Sequence, residues 1–189
     1  MKVYTFFKKQ KWNILFFIAL TLLLVPQTGV PIKVFLSRTF ALSPRLNNSE
    51  HTEVLDSYLW QLSTLDGNRT SFTEAEGKVV LVNFWATWCP PCIAEMPSLQ
   101  SLYDTFGKDV AFYFVSTETE EILQNFKEKT NYSTPIYTML TMPPKVLQSK
   151  SLPTTYLIDK EGKVIIKKTG AAKWNSDKVK TTIRTLLED

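Results

Sequence analysis

Cysteine is nearly absent from this chain. There are two in 189 residues, beside a single histidine. Two cysteines exclude a disulfide-stapled scaffold, which needs several pairs. They also fall short of a structural zinc site, which normally needs four ligands where Cys89, Cys92 and His51 make only three. Acidic residues are missing from residues 1–45, which hold seven Lys and Arg. The rest therefore carries 15 basic and 18 acidic groups, a net −3, and the overall +4 belongs to the N-terminal region. No basic stripe remains to read as a nucleic-acid footprint. Internal repeats and low-complexity tracts are lacking too.

What is present is concentrated. Both cysteines fall in Trp85-Ala86-Thr87-Trp88-Cys89-Pro90-Pro91-Cys92, between an apolar run, Val79–Phe84, and a stretch with helical character, Ile93–Phe106. A Cys-x-x-Cys pair between a strand and a helix start is the layout for reversible thiol–disulfide exchange. Unpaired N–H groups and the helix dipole favour a thiolate there. Cys89 is expected to be the nucleophile and Cys92, one turn in, the resolving thiol. A purely structural crosslink over so short a loop gives only about 2 kcal/mol, a weak staple for a domain of this size.

The N-terminus carries Lys2, Lys8, Lys9 and Lys11, followed by a charge-free stretch from Trp12 to Ile32. That length is close to the roughly 20 residues a bilayer crossing needs. A cleaved signal peptide shares the basic start and the apolar run, but no small-x-small site follows Val25. An uncleaved anchor is the favoured reading: residues 1–32 as cytoplasmic flank and membrane segment, with the bulk of the chain outside. Residues 33–52 read as a juxtamembrane linker and 53–189 as one domain.

Within that domain the pattern predicts a strand over Tyr58–Leu65 with a turn at Asp66-Gly67-Asn68, a strand over Val79–Phe84 and a helix over Ile93–Phe106. A strand over Val110–Val115 and a helix over Thr119–Lys129, capped by Thr117 or Thr119, follow. Residues 131–151 read as irregular, apart from an apolar run at Pro135–Leu140 and a helical turn near Lys145–Lys150. A hairpin over Thr155–Ile158 and Lys163–Lys167, then a closing helix over Asn175–Glu188 capped by Asn175 or Ser176, complete an α/β sheet with helices on both faces.

That order resembles the thioredoxin fold over roughly residues 55–189. Phe84-Trp85-Ala86-x-Trp88-Cys89-x-x-Cys92 is followed by Pro97, and a proline within a helix costs about 3 kcal/mol and so marks the family. Leu152-Pro153-Thr154 resembles the cis-proline loop, and Gly170-Ala171 the glycine beside it. More specifically the chain is similar to membrane-anchored TlpA/ResA-type thiol–disulfide oxidoreductases. The shared features are the anchor, an N-terminal β-hairpin with Leu65-Asp66-Gly67, the Ala86-Thr87-Trp88-Cys89 lead-in, Glu95-Met96-Pro97 and a central insert near 117–150. The resemblance implies a thioredoxin-like domain with a central mixed β-sheet flanked by helices, preceded by one transmembrane helix. It implies a bacterial inner-membrane protein whose domain lies in the periplasm. Such a protein would take electrons from a membrane thiol reductant and exchange disulfides with client proteins, cytochrome c maturation among the settings. No cofactor beyond a redox-active Cys89–Cys92 disulfide is expected, and a monomer is expected.

Two departures from ordinary thioredoxin matter. Its buried aspartate falls at Asn83, which cannot titrate, so Glu95 takes the part of proton acceptor for Cys92, the two sharing a helix face at i, i+3. Pro90 and Pro91 offer no N–H to a sulfur, which leans the couple toward a reductant. Trp88, Pro90, Pro91, Leu152, Pro153 and Thr154 are the expected client-contacting residues, with Trp85 in the core. Met139–Met142 with Pro143-Pro144 is a further candidate client surface. Two rivals stand beside this reading. A Cu(I) carrier would use the two thiolates plus His51. A peroxidase would need an arginine beside its cysteine, for which the domain offers only Arg69 and Arg184.

Overall fold

The computed structural model describes residues 10–18, 20–21, 26–39, 41–46 and 53–189. Its centre is a seven-stranded mixed sheet in the order β2-β1-β5-β4-β3-β6-β7. The strands are β1 Gln61–Thr64, β2 Arg69–Ser71, β3 Val80–Phe84, β4 Ala111–Ser116, β5 Ile136–Met139, β6 Thr154–Ile158 and β7 Val164–Thr169. β3, β4 and β5 run parallel, and the remaining neighbours are antiparallel. The predicted N-terminal hairpin is present as β1–β2. Its turn closes through Thr64 N–H to Asn68 O at 2.9 Å and places Gly67 at φ 76°, the left-handed region that favours glycine.

β3 is buried along its whole length, as its apolar run dictates. Side chains alternate across it. Val80, Val82 and Phe84 enter one core cluster, while Leu81 and Trp85 enter the other. Asn83 therefore points to the same face as Leu81 and Trp85. That face is covered by α3 (Pro90–Phe106), α4 (Glu120–Thr130) and α5 (Asp177–Glu188), through Leu99, Leu102 and Phe106, Leu123, and Val179 and Ile183. The crossovers β3-α3-β4 and β4-α4-β5 advance in one direction along the sheet, so right-handed connections set both helices on one side.

The expectation of helices on both faces is thus corrected. Trp60, Phe72 and Leu147, from the segment before β1 and from two short 3₁₀ turns (Phe72–Ala75 and Lys145–Leu147), cover the opposite face. Aromatic contacts among Tyr58, Trp60, Phe72, Phe84 and Tyr113 do there what a helix would.

The region read as irregular between 131 and 151 also differs. Ile136–Met139 joins the sheet as β5, pairing with both β4 and β1. Trp60 Nε1 donates to Thr141 O at 3.1 Å, tying the strand's exit to the hairpin. Ser176 and Thr119 stand at the N-caps of α5 and α4, but neither side chain makes the cap bond.

Residues 10–18 (α1) are helical, and α2 spans Pro26–Thr39. The predicted membrane segment falls partly outside the described residues. Among the described residues no helix is long and apolar enough to cross a membrane. The predicted anchor–linker boundary at residue 32 lies inside α2, which packs against α3. Lys173 N–H donates to Leu42 O at 3.1 Å and Pro44 is buried, so part of the presumed linker rests on the domain. The rest of that linker, with His51, lies outside the described residues.

Candidate active site

The segment after β3 turns sharply into α3. Trp85 N–H donates to Val115 O at 3.1 Å and Cys89 N–H to Ala86 O at 3.2 Å. Cys89 is the N-cap of α3, Pro90 and Pro91 open the first turn, and Cys92 follows. Proline fits there because first-turn N–H groups have no intrahelical partner to lose. The two sulfurs are joined as a disulfide, with Cα atoms 5.2 Å apart. Both cysteines are buried, Cys89 at 4% exposed and Cys92 at 1%. The prolines leave Cys92 N–H to serve Cys89 Sγ, at 3.4 Å. Trp88 stands out at 70% exposed, while Trp85 is buried against Phe126.

Glu95 occupies a core position of α3, on the stripe Cys92, Met96, Leu99, Leu102, Phe106, and is 2% exposed. At i+3 from Cys92 its Cβ stands about 5–6 Å from that of the cysteine. Four groups attend the carboxylate. Asn83 Nδ2 donates to Oε1 at 2.9 Å, Ala172 N–H to Oε2 at 3.1 Å and Trp174 Nε1 to Oε2 at 3.0 Å. Thr155 adds a side-chain bond, and it lies directly across from Asn83 in the β3–β6 register. Burial raises the carboxyl to about 7, against the lowering pull of the bonds from Trp174, Ala172, Asn83 and Thr155. The carboxyl can therefore exchange a proton near neutral pH. Ser98 holds the 172–174 segment on the helix, accepting from Trp174 N–H at 3.2 Å and donating to Ala172 O at 3.3 Å.

On the solvent side of the cysteines, a contact invisible to local pattern reading holds the loop. Thr87 N–H donates to Glu118 Oε2 at 2.7 Å and its hydroxyl to Oε1 at 2.6 Å. Ser116 Oγ donates to the same carboxylate at 3.1 Å. The sequence suggested Thr117 or Thr119 as a helix cap; Glu118 between them instead spans to the cysteine loop.

The Leu152–Pro153 bond is cis, and Gly170 N–H donates to Pro153 O at 2.9 Å. Thr154 pairs with Phe84 in the sheet, which sets this loop beside the start of the cysteine segment. Pro90, Pro91 and Leu152 are half-buried and Pro153 is buried. Thr154 is fully buried, its hydroxyl donating to Ser151 O at 2.8 Å and bonding Thr169, so that side chain braces the loop and is not offered to a client. Met139, Met142 and Pro143 join Phe84, Trp85 and Leu152 around a mostly apolar cavity of about 380 Å³ beside the loop. Pro144 is buried. Among the described residues no three His, Cys, Asp or Glu gather as a metal site.

A Cys-x-x-Cys disulfide at a helix N-terminus, beside a cis-proline loop on a mixed sheet, defines the thioredoxin-like class. The chain belongs to the AhpC/TSA family, whose pattern matches residues 57–167. It is 36% identical over 107 residues to the thioredoxin-like protein YneN of Bacillus subtilis, covering 54% of this chain and 63% of that one. It is 35% identical over 111 residues to the thiol-disulfide oxidoreductase ResA of Bacillus cereus, covering 56% and 63%. The chain thus spans less than two thirds of the length of these curated relatives. The thioredoxin domain of a thiol-disulfide oxidoreductase from Bacteroides vulgatus superposes with a TM-score of 0.58 at 25% identity, over 72% of this chain and 98% of that one.

Proposed function

We propose that this protein is a thiol–disulfide oxidoreductase that reduces disulfides of client proteins. The observation that carries this is a disulfide at the α3 N-terminus backed, one turn on, by a buried carboxyl tuned to about 7. In the reduced enzyme the Cys89 thiolate attacks a client disulfide, forming a mixed disulfide and expelling one client thiolate. Glu95 takes the proton of the Cys92 thiol, and the Cys92 thiolate then attacks Cys89 Sγ. The second client thiolate leaves, the Cys89–Cys92 disulfide re-forms, and two electrons have passed to the client. An upstream dithiol returns them.

The basic flank and apolar N-terminal stretch support a membrane tether with the domain on the periplasmic side. The upstream dithiol is then a membrane thiol reductant. The TlpA/ResA resemblance supports clients on the route to cytochrome c, and the Pro90-Pro91 pair supports the reductive direction. Client contact falls to Trp88, Pro90, Pro91, Leu152 and Pro153, with Met139 and Met142 at the neighbouring cavity.

The test is a redox titration of the full-length protein in dithiothreitol and glutathione buffers, read by tryptophan fluorescence. A two-electron transition at or below about −230 mV is expected. A value of about −120 to −180 mV would reverse the direction to oxidant or isomerase. No transition at all would overturn the exchange reading.

A further inference from the structure

The surroundings of Glu95 leave one place for a proton. Oε2 accepts two N–H bonds, from Ala172 and from Trp174 Nε1, which fill its lone pairs. The donors on Oε2 are a backbone N–H and a packed indole, whereas those facing Oε1, Asn83 and Thr155, are side-chain groups that can turn, so a proton arriving from Cys92 enters at Oε1. There the Asn83 amide presents only its donor end, 2.9 Å from Glu95 Oε1 and 2.7 Å from Thr155 Oγ1. A protonated Oε1 meeting that donor has its proton facing an N–H group, so the partner must change.

The other end of the amide makes the change feasible. Asn83 is fully buried, and among the described residues none donates a hydrogen bond to its Oδ1. A buried carbonyl with a partner would lock the amide in one orientation; an orphaned one does not. The orientation of the side chain is therefore set at one end only, by Glu95 and Thr155. Residues bonded to the carboxyl come from β3 (Asn83), β6 (Thr155) and the segment after β7 (Ala172, Trp174), and Cys92 lies on the preceding turn of α3. Among the described residues no charged side chain contributes to its proton affinity.

We propose that Asn83 is an amide rotor that follows the proton on Glu95. With the carboxylate ionised, Nδ2 donates to Glu95 Oε1 and Thr155 Oγ1. With Oε1 protonated, the amide turns half a revolution, and Oδ1 accepts from the Glu95 O–H and from the Thr155 hydroxyl. The bonds from Asn83 to Glu95 and to Thr155 exist in both states with their direction reversed, the Thr155 hydroxyl turns its proton from the carboxylate to Oδ1, and the vacant end passes from oxygen to nitrogen. Asn83 is in this scheme a positioning residue. It lets one site hold both a charged and a neutral carboxyl without a second ionisable group. The inference rests on Glu95 being the proton acceptor in exchange.

The experiment follows two nuclei in the full-length protein across pH 5 to 9, in oxidised and reduced forms. These are the Glu95 carboxyl carbon and the Asn83 side-chain NH₂, assigned by comparison with Asn83→Asp. The NH₂ resonances are expected to shift with the same midpoint as the carboxyl. Asn83→Asp, which can only accept when ionised, is expected to raise the Glu95 midpoint by about one pH unit or more. If Glu95 titrates while the Asn83 NH₂ stays fixed, the proton is held through Thr155 alone and the rotor is wrong. The rotor is also wrong if Asn83→Asp lowers the melting temperature but leaves the midpoint in place. A Glu95 that does not titrate in this range overturns the proton-acceptor reading itself, and the rotor with it.

Discussion

Two glutamates flank the cysteine loop, and they differ in what burial does to a carboxylate. Glu118 and Glu95 each take hydrogen bonds from a backbone N–H and from side chains, at similar distances. Hydrogen-bond number therefore does not distinguish them. Position does. Glu118 is half-buried at the β4–α4 junction, and both its oxygens are spent on Thr87, two residues before Cys89. Glu95 sits 2% exposed on the core stripe of α3, where desolvation outweighs the bonds that favour its charge. A carboxylate in contact with water holds the loop still; one removed from water can give up its charge. On the proposed mechanism the front of the site fixes geometry and the back moves protons.

The cysteines between the two regions are the largest lever. Cys89→Ala is expected to reduce exchange to background. Cys92→Ala is expected to accumulate mixed disulfides with clients on Cys89, counted by mass spectrometry under non-reducing conditions. Equal trapping by both variants would overturn the assignment of nucleophile and resolving thiol.

Breaking the back region comes next. Glu95→Gln is expected to slow exchange by about 10²-fold at pH 7 and to flatten its pH profile. The same substitution has a sign in stability. The folded carboxyl has its proton affinity raised to about 7 from 4.5, so the native state keeps a proton that the unfolded chain releases. Its favourable contribution is full below about pH 4.5 and is lost as pH rises to about 7, a loss of at most about 3 kcal/mol. Denaturant unfolding of wild type and Glu95→Gln at pH 4.5 and pH 8 measures it. Equal pH slopes in the two proteins would remove Glu95 from the role.

The comparison also shows what sequence can carry. The pairing of Cys89 with Cys92 and the place of Glu95 one turn further along α3 were legible because their relation is local: a turn of helix, then the next turn. The strands β3, β4, β6 and β7 were legible from apolar runs and a turn of Asp159-Lys160-Glu161-Gly162. The partners that give Glu95 its character were not. Ala172 and Trp174 lie 77 and 79 residues away, and only the folded sheet brings them there. At Asn83 the sequence shows only a side chain that cannot titrate, whereas in the fold it donates to Glu95. β5 escaped because four residues with mixed burial carry too little alternation to separate a strand from a loop. Glu118 escaped because its neighbours Thr117 and Thr119 are the better caps by residue type, and nothing local points to Thr87, 31 positions away.

Breaking the front region is expected to have a smaller, differently shaped effect. Glu118→Ala removes two bonds to Thr87 and leaves the Glu95 site intact. It should cost about 1–2 kcal/mol, seen as a melting temperature lower by several degrees. Exchange should slow several-fold with the pH profile keeping its form. Glu118→Gln should recover most of both, because an amide can accept from Thr87 N–H and donate to its hydroxyl. A flattened pH profile in Glu118→Ala would erase the distinction between front and back.

The smallest effect sharpens the same point. Thr119 has the residue type and the extended backbone of a helix N-cap, φ −67° and ψ 152°, yet its side chain makes no cap bond. A cap threonine in use is worth about 0.5–2 kcal/mol relative to alanine. Here the first turn of α4 already carries Glu120 and Glu121 near the dipole's positive end, and the preceding carboxylate is turned toward the cysteine loop. Thr119→Ala should therefore change stability by less than about 0.5 kcal/mol, measured by denaturant unfolding beside Glu118→Ala. A loss as large as that of Glu118→Ala would mean that Thr119 caps α4 in solution. Glu118 would then be held by its helix as well as by the loop, and the tether could no longer be credited to Thr87 alone.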